Sequence, residues 1–578
     1  MDNFKIVFSL LTKKQKVNFY FLVIFLFIGV LFELLGIGIL VPVLSLLSAN
    51  SPLLKNQFII TILHKCGDPS LKSIIIFTMI FLIILNLFKA MYLIFLNWRQ
   101  SSFATNLSEE ITEKLFYSYL NQSYEFHIQR NSSVLLKNLQ HDANQIMHIC
   151  SAYIIIFLEF LVILGVIIFL FIIEPKGAIT LVITVSFFSF LFNKLTSKKI
   201  TMWGDEQNRS HSLKNQYILQ ALGGIKEIKI LGRIDMFFNK FQKLNKNLSK
   251  IHINYSIISG IPRVYLEFLA MLGLSILIVE MTLSSISIET ILPVIGIFLA
   301  SAFRLLPSIN KIMGSLQLLK INQRVIANLN NEFNISEKVY QNVNNIDILL
   351  NNEIVFKNIN YHYPNSSKNI LENINFQIKK GDLVGIIGKS GSGKSTLIDL
   401  LIGVLIPSQG KISVDGIDIN DNLASWQGKI GYVPQNIYLT DDSLKNNIAL
   451  GIDEKDIDEN LLNESIINAD LFDFIRSLPK QLDTSVGERG VRLSGGQRQR
   501  IGIARALYHK PSILVLDEAT SALDNETEKK VMNSVIKLKN KITIIVIAHR
   551  LTTLKECNYI LKLQEGKLIH EDKTIFYN

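Results

Sequence analysis

The chain has 578 residues, 49% of them hydrophobic and only 19% charged, with a net charge of +11. That length and oiliness exclude a single soluble core, and a positive balance in so oily a chain points to basic loops beside a membrane. Three distant cysteines, Cys66, Cys150 and Cys557, show no CxxC spacing, so neither a disulfide framework nor a zinc site is indicated.

The first oily run follows a basic head, "LTKKQK". It is about twice as long as the apolar core of a signal peptide, so it predicts an uncleaved helix. Six spans are predicted, at 17–46, 74–97, 146–173, 177–194, 258–280 and 287–310, each near or above the ~20 residues that cross a bilayer. Lys and Arg placement orients them. The head carries Lys5, Lys13, Lys14 and Lys16, and the loop between the second and third spans carries Arg99, Lys114, Arg130 and Lys137. Twelve more lie between Lys194 and Lys250, against three lysines in 47–73, one in "EPKG" and none in 281–286. The positive-inside rule then puts both termini and the two long loops in the cytoplasm. Those loops keep helical periodicity, so the membrane helices are expected to run on past the bilayer. A short external helix is expected within 47–73, near "NQFIITILHK".

Domain boundaries follow from the change in pattern. Residues 1–320 read as a transmembrane domain and the Asn-rich stretch 321–350 as a linker. Residues 351–578 read as a nucleotide-binding domain. Beyond the linker, short apolar strands ("DLVGIIG", "SILVLDEA", "KITIIVIAHR") alternate with helical patterns, which predicts a largely parallel α/β sheet.

"GKSGSGKST" carries the first chemistry. Gly388, Lys389, Ser390, Gly391, Ser392, Gly393, Lys394, Ser395 and Thr396 follow an apolar strand and open a helical pattern, the context of a P-loop. The glycines allow backbone N–H groups to wrap phosphates, Lys394 is of the type that reaches the terminal phosphates, and Ser395 can ligate Mg²⁺. "ILVLDE" ends a second strand in Asp517, suited to the Mg²⁺ shell, and Glu518, suited to activate water. Taken alone, such an acidic pair is more often just the start of a helix.

"LSGGQRQRIGIARAL" (Leu493 to Leu507) resembles the signature of the ABC transporters, and the likeness runs through the whole C-terminal half. It implies that Tyr363 of "YHYP" stacks on adenine and that Gln435 of "YVPQN" is the Q-loop glutamine, beside the metal and the attacking water. It further implies that "VGERG" is the exporter X-loop, that Asp524 of "SALD" belongs to the D-loop, and that His549 of "IAHR" is the switch histidine. Ser494, Gly495, Gly496 and Gln497 would start a helix and offer N–H groups to a phosphate. With one such domain and six spans per chain, the resemblance implies a type IV exporter fold. A homodimer with two shared ATP·Mg²⁺ sites would couple hydrolysis to transport in a bacterial inner membrane. Coupling segments are expected near "NSSVLLKNLQHD" and "LQALGGIKEIK".

The cargo is addressed by charges inside the spans: Lys89, Arg263 and Arg304. Each costs on the order of 2.5–3.5 kcal/mol at the bilayer centre and so calls for a reason. Glu267 could neutralise Arg263 one turn away, or the long side chains could snorkel to the interface. Alternatively, the three line a cavity that takes a phosphate or pyrophosphate head. "IPRVYLEF" and "FRLLPSINK" resemble bacterial lipid-linked oligosaccharide flippases of the PglK type. That likeness implies a polyprenyl-pyrophosphate-linked glycan as cargo. Alternatives are a lipid A-like lipid, a peptide or a drug as cargo, or an ATP-gated channel or regulator on the same scaffold.

Overall fold

The structure is a computed structural model that describes residues 2–38, 71–173, 175–283, 288–336, 347–364, 366, 368–519, 525–547 and 554–571. It divides into two units. One is Met1–Gln122 with Phe126–Tyr340, and the other is Ser123–Glu125 with Gln341–Asn578. Apart from its last residues, the expected external helix in 47–73 lies outside the described residues.

The first unit is built of helices. A short α1 (Asp2–Ser9) precedes α2 (Lys13–Gly38) and the 50-residue α3 (Leu71–Leu120). Then come α4 (Ser132–Lys137), α5 (Ala143–Ile173), α6 (Pro175–Gly223), α7 (Ile234–Leu283), α8 (Ile288–Ile321) and α9 (Gln323–Ser336). Among the described residues, five of these helices are long and apolar enough to cross a membrane, and α8 covers the sixth predicted span. At 1.5 Å per residue α3 is about 75 Å long, more than twice a ~30 Å hydrocarbon core. The long helices therefore continue beyond the bilayer, as their periodicity suggests. Along α3, Phe77, Ile83, Phe88 and Met91 all stand exposed in the single chain, as a lipid- or partner-facing surface requires.

One sequence expectation changes here. The stretch read as the start of a linker is helix α9: Val325, Ile326 and Leu329 form an apolar stripe buried with Leu107, Ile111 and Leu115 of α3. Its many asparagines sit on the remaining faces, which masked the period. The segment 131–142, where a coupling element is expected, belongs to the first unit. It forms α4 and then one π-helical turn (Asn138–Asp142), with Lys137, Asn138 and Asp142 all buried.

The second unit holds two sheets. A six-stranded sheet has the order β10-β9-β3-β8-β7-β6, from β3 (Leu383–Ile387), β6 (Ile430–Val433), β7 (Ile513–Asp517), β8 (Thr543–Ile547), β9 (Tyr559–Gln564) and β10 (Lys567–Glu571). All its pairings are parallel except β9–β10. Strands β7 and β8 are buried along their full length, which explains their uninterrupted apolar runs. A four-stranded antiparallel sheet, β2-β1-β4-β5, is made from β1 (Glu353–Tyr361), β2 (Leu371–Lys379), β4 (Gln409–Val414) and β5 (Ile417–Asp418). Helix α10 (Lys394–Leu401) follows β3, and α11 (Gly495–Tyr508) precedes β7.

Candidate functional site

Strands β3, β7 and β8 run parallel, so their carboxyl ends share one edge, the place where open α/β sheets bind ligands. The loop 388–393 leaves that end of β3 and enters α10 at Gly393, whose φ is 101°. Gly391 is also left-handed, at φ 79°. An added Cβ at Gly388 would lie 2.3 Å from Leu563 O and 2.6 Å from Ser392 Oγ, so only glycine lets the loop pack here. Lys394 Nζ donates to Gly388 O at 2.8 Å and Lys389 O at 3.2 Å, which holds the ammonium across the loop's concave side. Ser392 Oγ is buried and has no hydrogen-bond partner. Such an orphan, beside turned N–H groups and an ammonium, fits a phosphate. Lys389, Ser390, Gly391 and Ser395 are exposed, and Thr396 is buried with its Oγ1 3.4 Å from Tyr363 Oη.

Asp517 is the last residue of β7, and Glu518 follows in a left-handed conformation, φ 49°. Its N–H reaches Ile547 O at the end of β8 at 3.2 Å. That turn directs the carboxylate to Gln435, whose Nε2 donates to Glu518 Oε2 at 2.7 Å. Burial, and then the negative charge of Glu518, hold the Asp517 carboxyl above its usual range. On α10, burial and the charge of Asp517 push Asp399 up to about 6. A site that crowds carboxyls in this way favours a cation. Ser395, Gln435 and Asp517 offer the oxygen donors that suit Mg²⁺. Asp399 is absent from the sequence reading, where nothing in its spacing marks it out.

The signature segment starts α11. Ser494 Oγ accepts from Gln497 N at 3.2 Å while Gln497 Oε1 accepts from Ser494 N at 2.8 Å, a capping box. Gly495 and Gly496, in the first turn, have no helical acceptor for their N–H groups and can turn them to an anion. Asp524 and His549 lie outside the described residues.

In the first unit the structure separates the three predicted cations. Arg263 is exposed and pairs with Glu267 at 3.2 Å, as its i,i+4 spacing allows. Lys89 and Arg304 converge on one acceptor, Glu33 Oε2, at 2.8 and 3.0 Å. Glu159 joins them, with Arg304 Nη2 at 3.5 Å and Lys311 Nζ at 2.6 Å. The sequence reading passed over Glu33, Glu159 and Lys311. The signal was present: a lone glutamate in "LFELLG" and another in "FLEFLV" carry the same desolvation penalty as a lone arginine.

The comparisons with known proteins agree with this layout. Residues 19–302 match the ABC transporter transmembrane region and 371–521 match the ABC transporter domain. The ATP-dependent lipid A-core flippase of Wigglesworthia glossinidia brevipalpis is 31% identical over 82% of this chain and 81% of its own. That of Legionella pneumophila (strain Paris) is 29% identical over 81% and 79%. The structure of a bacterial Atm1-family ABC exporter with ATP bound superposes with a TM-score of 0.76 over 96% of this chain and 94% of its own; at 20% identity it speaks for the fold alone. With a membrane region and an ATPase domain matched in that order, and a 31%-identical relative matched over 82% of this chain, the chain belongs to the ABC transporters and has the fold of an exporter.

Proposed function

We propose that this protein is an ATP-driven flippase for a phosphate-bearing glycolipid of the lipid A-core class, working as a homodimer with its nucleotide-binding unit in the cytoplasm. The two relatives described above, matched over about four fifths of this chain, are lipid A-core flippases, and this favours such a lipid over the polyprenyl-pyrophosphate glycan suggested by the membrane motifs. Both cargoes share the feature that matters physically, a concentrated negative head. The observation that carries the reading is the membrane-domain cluster in which three cations face two carboxylates and leave a net positive charge. In this reading Arg263 stays with Glu267 and takes no part in holding the head.

The chain's own residues divide the ATP chemistry among them. Lys394 and the loop N–H groups hold phosphate, and Tyr363 offers a face to the base. Ser395, Gln435 and Asp517 would hold Mg²⁺, which neutralises phosphate charge when bound. Glu518, oriented by Gln435, takes the proton from water, and His549 is assigned the switch role that its motif implies. The Ser494–Gln497 segment of each copy closes over the P-loop of the other, and Asp524 is assigned to the same nucleotide site by its motif.

The test is ATP-dependent movement of a bis-phosphorylated lipid A across proteoliposomes, with Glu518→Gln as the inactive control. A parallel arm uses a polyprenyl-pyrophosphate oligosaccharide. Movement of the lipid A alone, lost in the control, supports the reading. Movement of the oligosaccharide alone restores the other cargo. Movement of neither, with ATP hydrolysis intact, removes both.

A further inference from the structure

Among the described residues, five ionisable side chains from four helices meet within the first unit. Glu33 comes from α2, Lys89 from α3, Glu159 from α5, and Arg304 and Lys311 from α8. Ser308, one turn beyond Arg304, donates to Glu159 Oε2 at 2.7 Å. The two carboxylates are held differently. Glu159 accepts hydrogen bonds from Ser308 and Lys311, has Arg304 Nη2 at 3.5 Å, and its side chain is sealed at 2% exposure. Glu33 is 10% exposed. Arg304 Nε lies 3.0 Å from it but lacks the alignment of a hydrogen bond, so Glu33 does not fill the arginine's fork.

We infer that Glu33 is a resident counter-ion, displaced by the cargo head, that sets the minimum charge a head group must carry to enter the site, while Glu159 is the fixed anchor that stays. The inference rests on the phosphate-bearing cargo proposed above. Bare cations in a membrane domain would bind any lipid phosphate, and ordinary phospholipids outnumber a dedicated cargo. With Glu33 in place, an entering head must outcompete a carboxylate already held by two cations. A phosphodiester carries one charge, so the exchange gains it little. A phosphomonoester brings more charge and three free oxygens, enough to take the fork of Arg304 and the ammonium of Lys89 together. Lys311, at 54% exposure, adds a third donor at the rim. Selectivity then comes from penalising the weaker competitor as much as from holding the right one.

The full-length protein in nanodiscs of zwitterionic phosphatidylcholine gives the test, read as ATPase stimulation by bis-phosphorylated lipid A and by monoanionic phosphatidylglycerol. Wild type is expected to respond to the first and not the second. Glu33→Gln is expected to lower the half-maximal lipid A concentration by about tenfold, since a competing like charge is gone, and to make phosphatidylglycerol stimulatory. Glu33→Asp keeps the charge but shortens its reach, and covers the case in which the amide fails to fold. It is expected to shift discrimination the same way by a smaller factor. If Glu33 only staples helices, the variants lower thermal stability and leave the ranking of the two lipids as in wild type; that result overturns the inference and leaves the cargo reading standing. If lipid A stimulates Glu33→Gln but not wild type, the counter-ion stands and the cargo reading falls. If neither lipid stimulates either protein, both fall.

Discussion

Gln435 and Glu518, 83 residues apart in sequence, are joined by a hydrogen bond of 2.7 Å from Nε2 to Oε2. The left-handed backbone at Glu518 and its N–H bond to Ile547 aim the carboxylate at that meeting point. A base oriented in this way loses its proton-accepting role on conversion to the amide. Glu518→Gln is expected to reduce ATP turnover at least about 100-fold while nucleotide binding persists, as measured by single-turnover hydrolysis beside equilibrium binding.

Gln435→Ala tests the orienting bond separately. It removes the donor and leaves the carboxylate present, so turnover should fall by about tenfold with little change in the KM for ATP. A fall in affinity without loss of kcat would instead place Gln435 in binding alone.

Lys394 is held by two carbonyls of its own loop, Gly388 O and Lys389 O. The loop's own carbonyls thus position the ammonium. Lys394→Ala should weaken ATP binding by about tenfold or more, because a charge-assisted contact is lost, with only a small change in melting temperature. Titration with a fluorescent ATP analogue reads the first quantity and thermal unfolding the second.

Lys137 and Asp142 form a buried pair at 2.7 Å, with Asn208 accepting from the same ammonium at 2.9 Å. Asp142→Ala strands a buried charge and is expected to destabilise the first unit by about 3–5 kcal/mol. Thermal unfolding in detergent should show the loss. The double change Lys137→Met with Asp142→Leu should recover most of it, because the cost lies in the unpaired charge.

Asp399 makes stability depend on pH. Its carboxyl is pushed up to about 6 by burial and by Asp517, above the 3.8 of an unperturbed aspartate. A raised folded-state value means the unfolded chain gives up this proton first. Its contribution to stability is therefore full below about 3.8 and is lost as pH rises through about 6. Asp399→Asn should raise the melting temperature of the nucleotide- and metal-free protein at pH 7.5 and have little effect near pH 4. Equal gains at both pH values would remove the charge explanation.

Much of this was legible in the residues. The P-loop, "ILVLDE" and the signature are local patterns in which a strand end, a turn and a helix start are each set by neighbours in sequence. The structure places them as their spacing implied. The linker reading failed at α9 because the Val325, Ile326 and Leu329 stripe is short and set among asparagines, and only its burial against α3 reveals it.

What the sequence by itself determined is the part that depends on composition and period: oily spans, and a phosphate loop between a strand and a helix. What only the tertiary structure decided is pairing across distance. Nothing in "LFELLG" names Lys89 and Arg304 as partners of Glu33, because they come from helices that meet only in the folded bundle. Arg263, by contrast, has its partner one turn away, where helical geometry alone puts it. A charge's local cost can be read from its own surroundings in the chain, but what compensates it depends on which helices pack together, and that is a property of the fold.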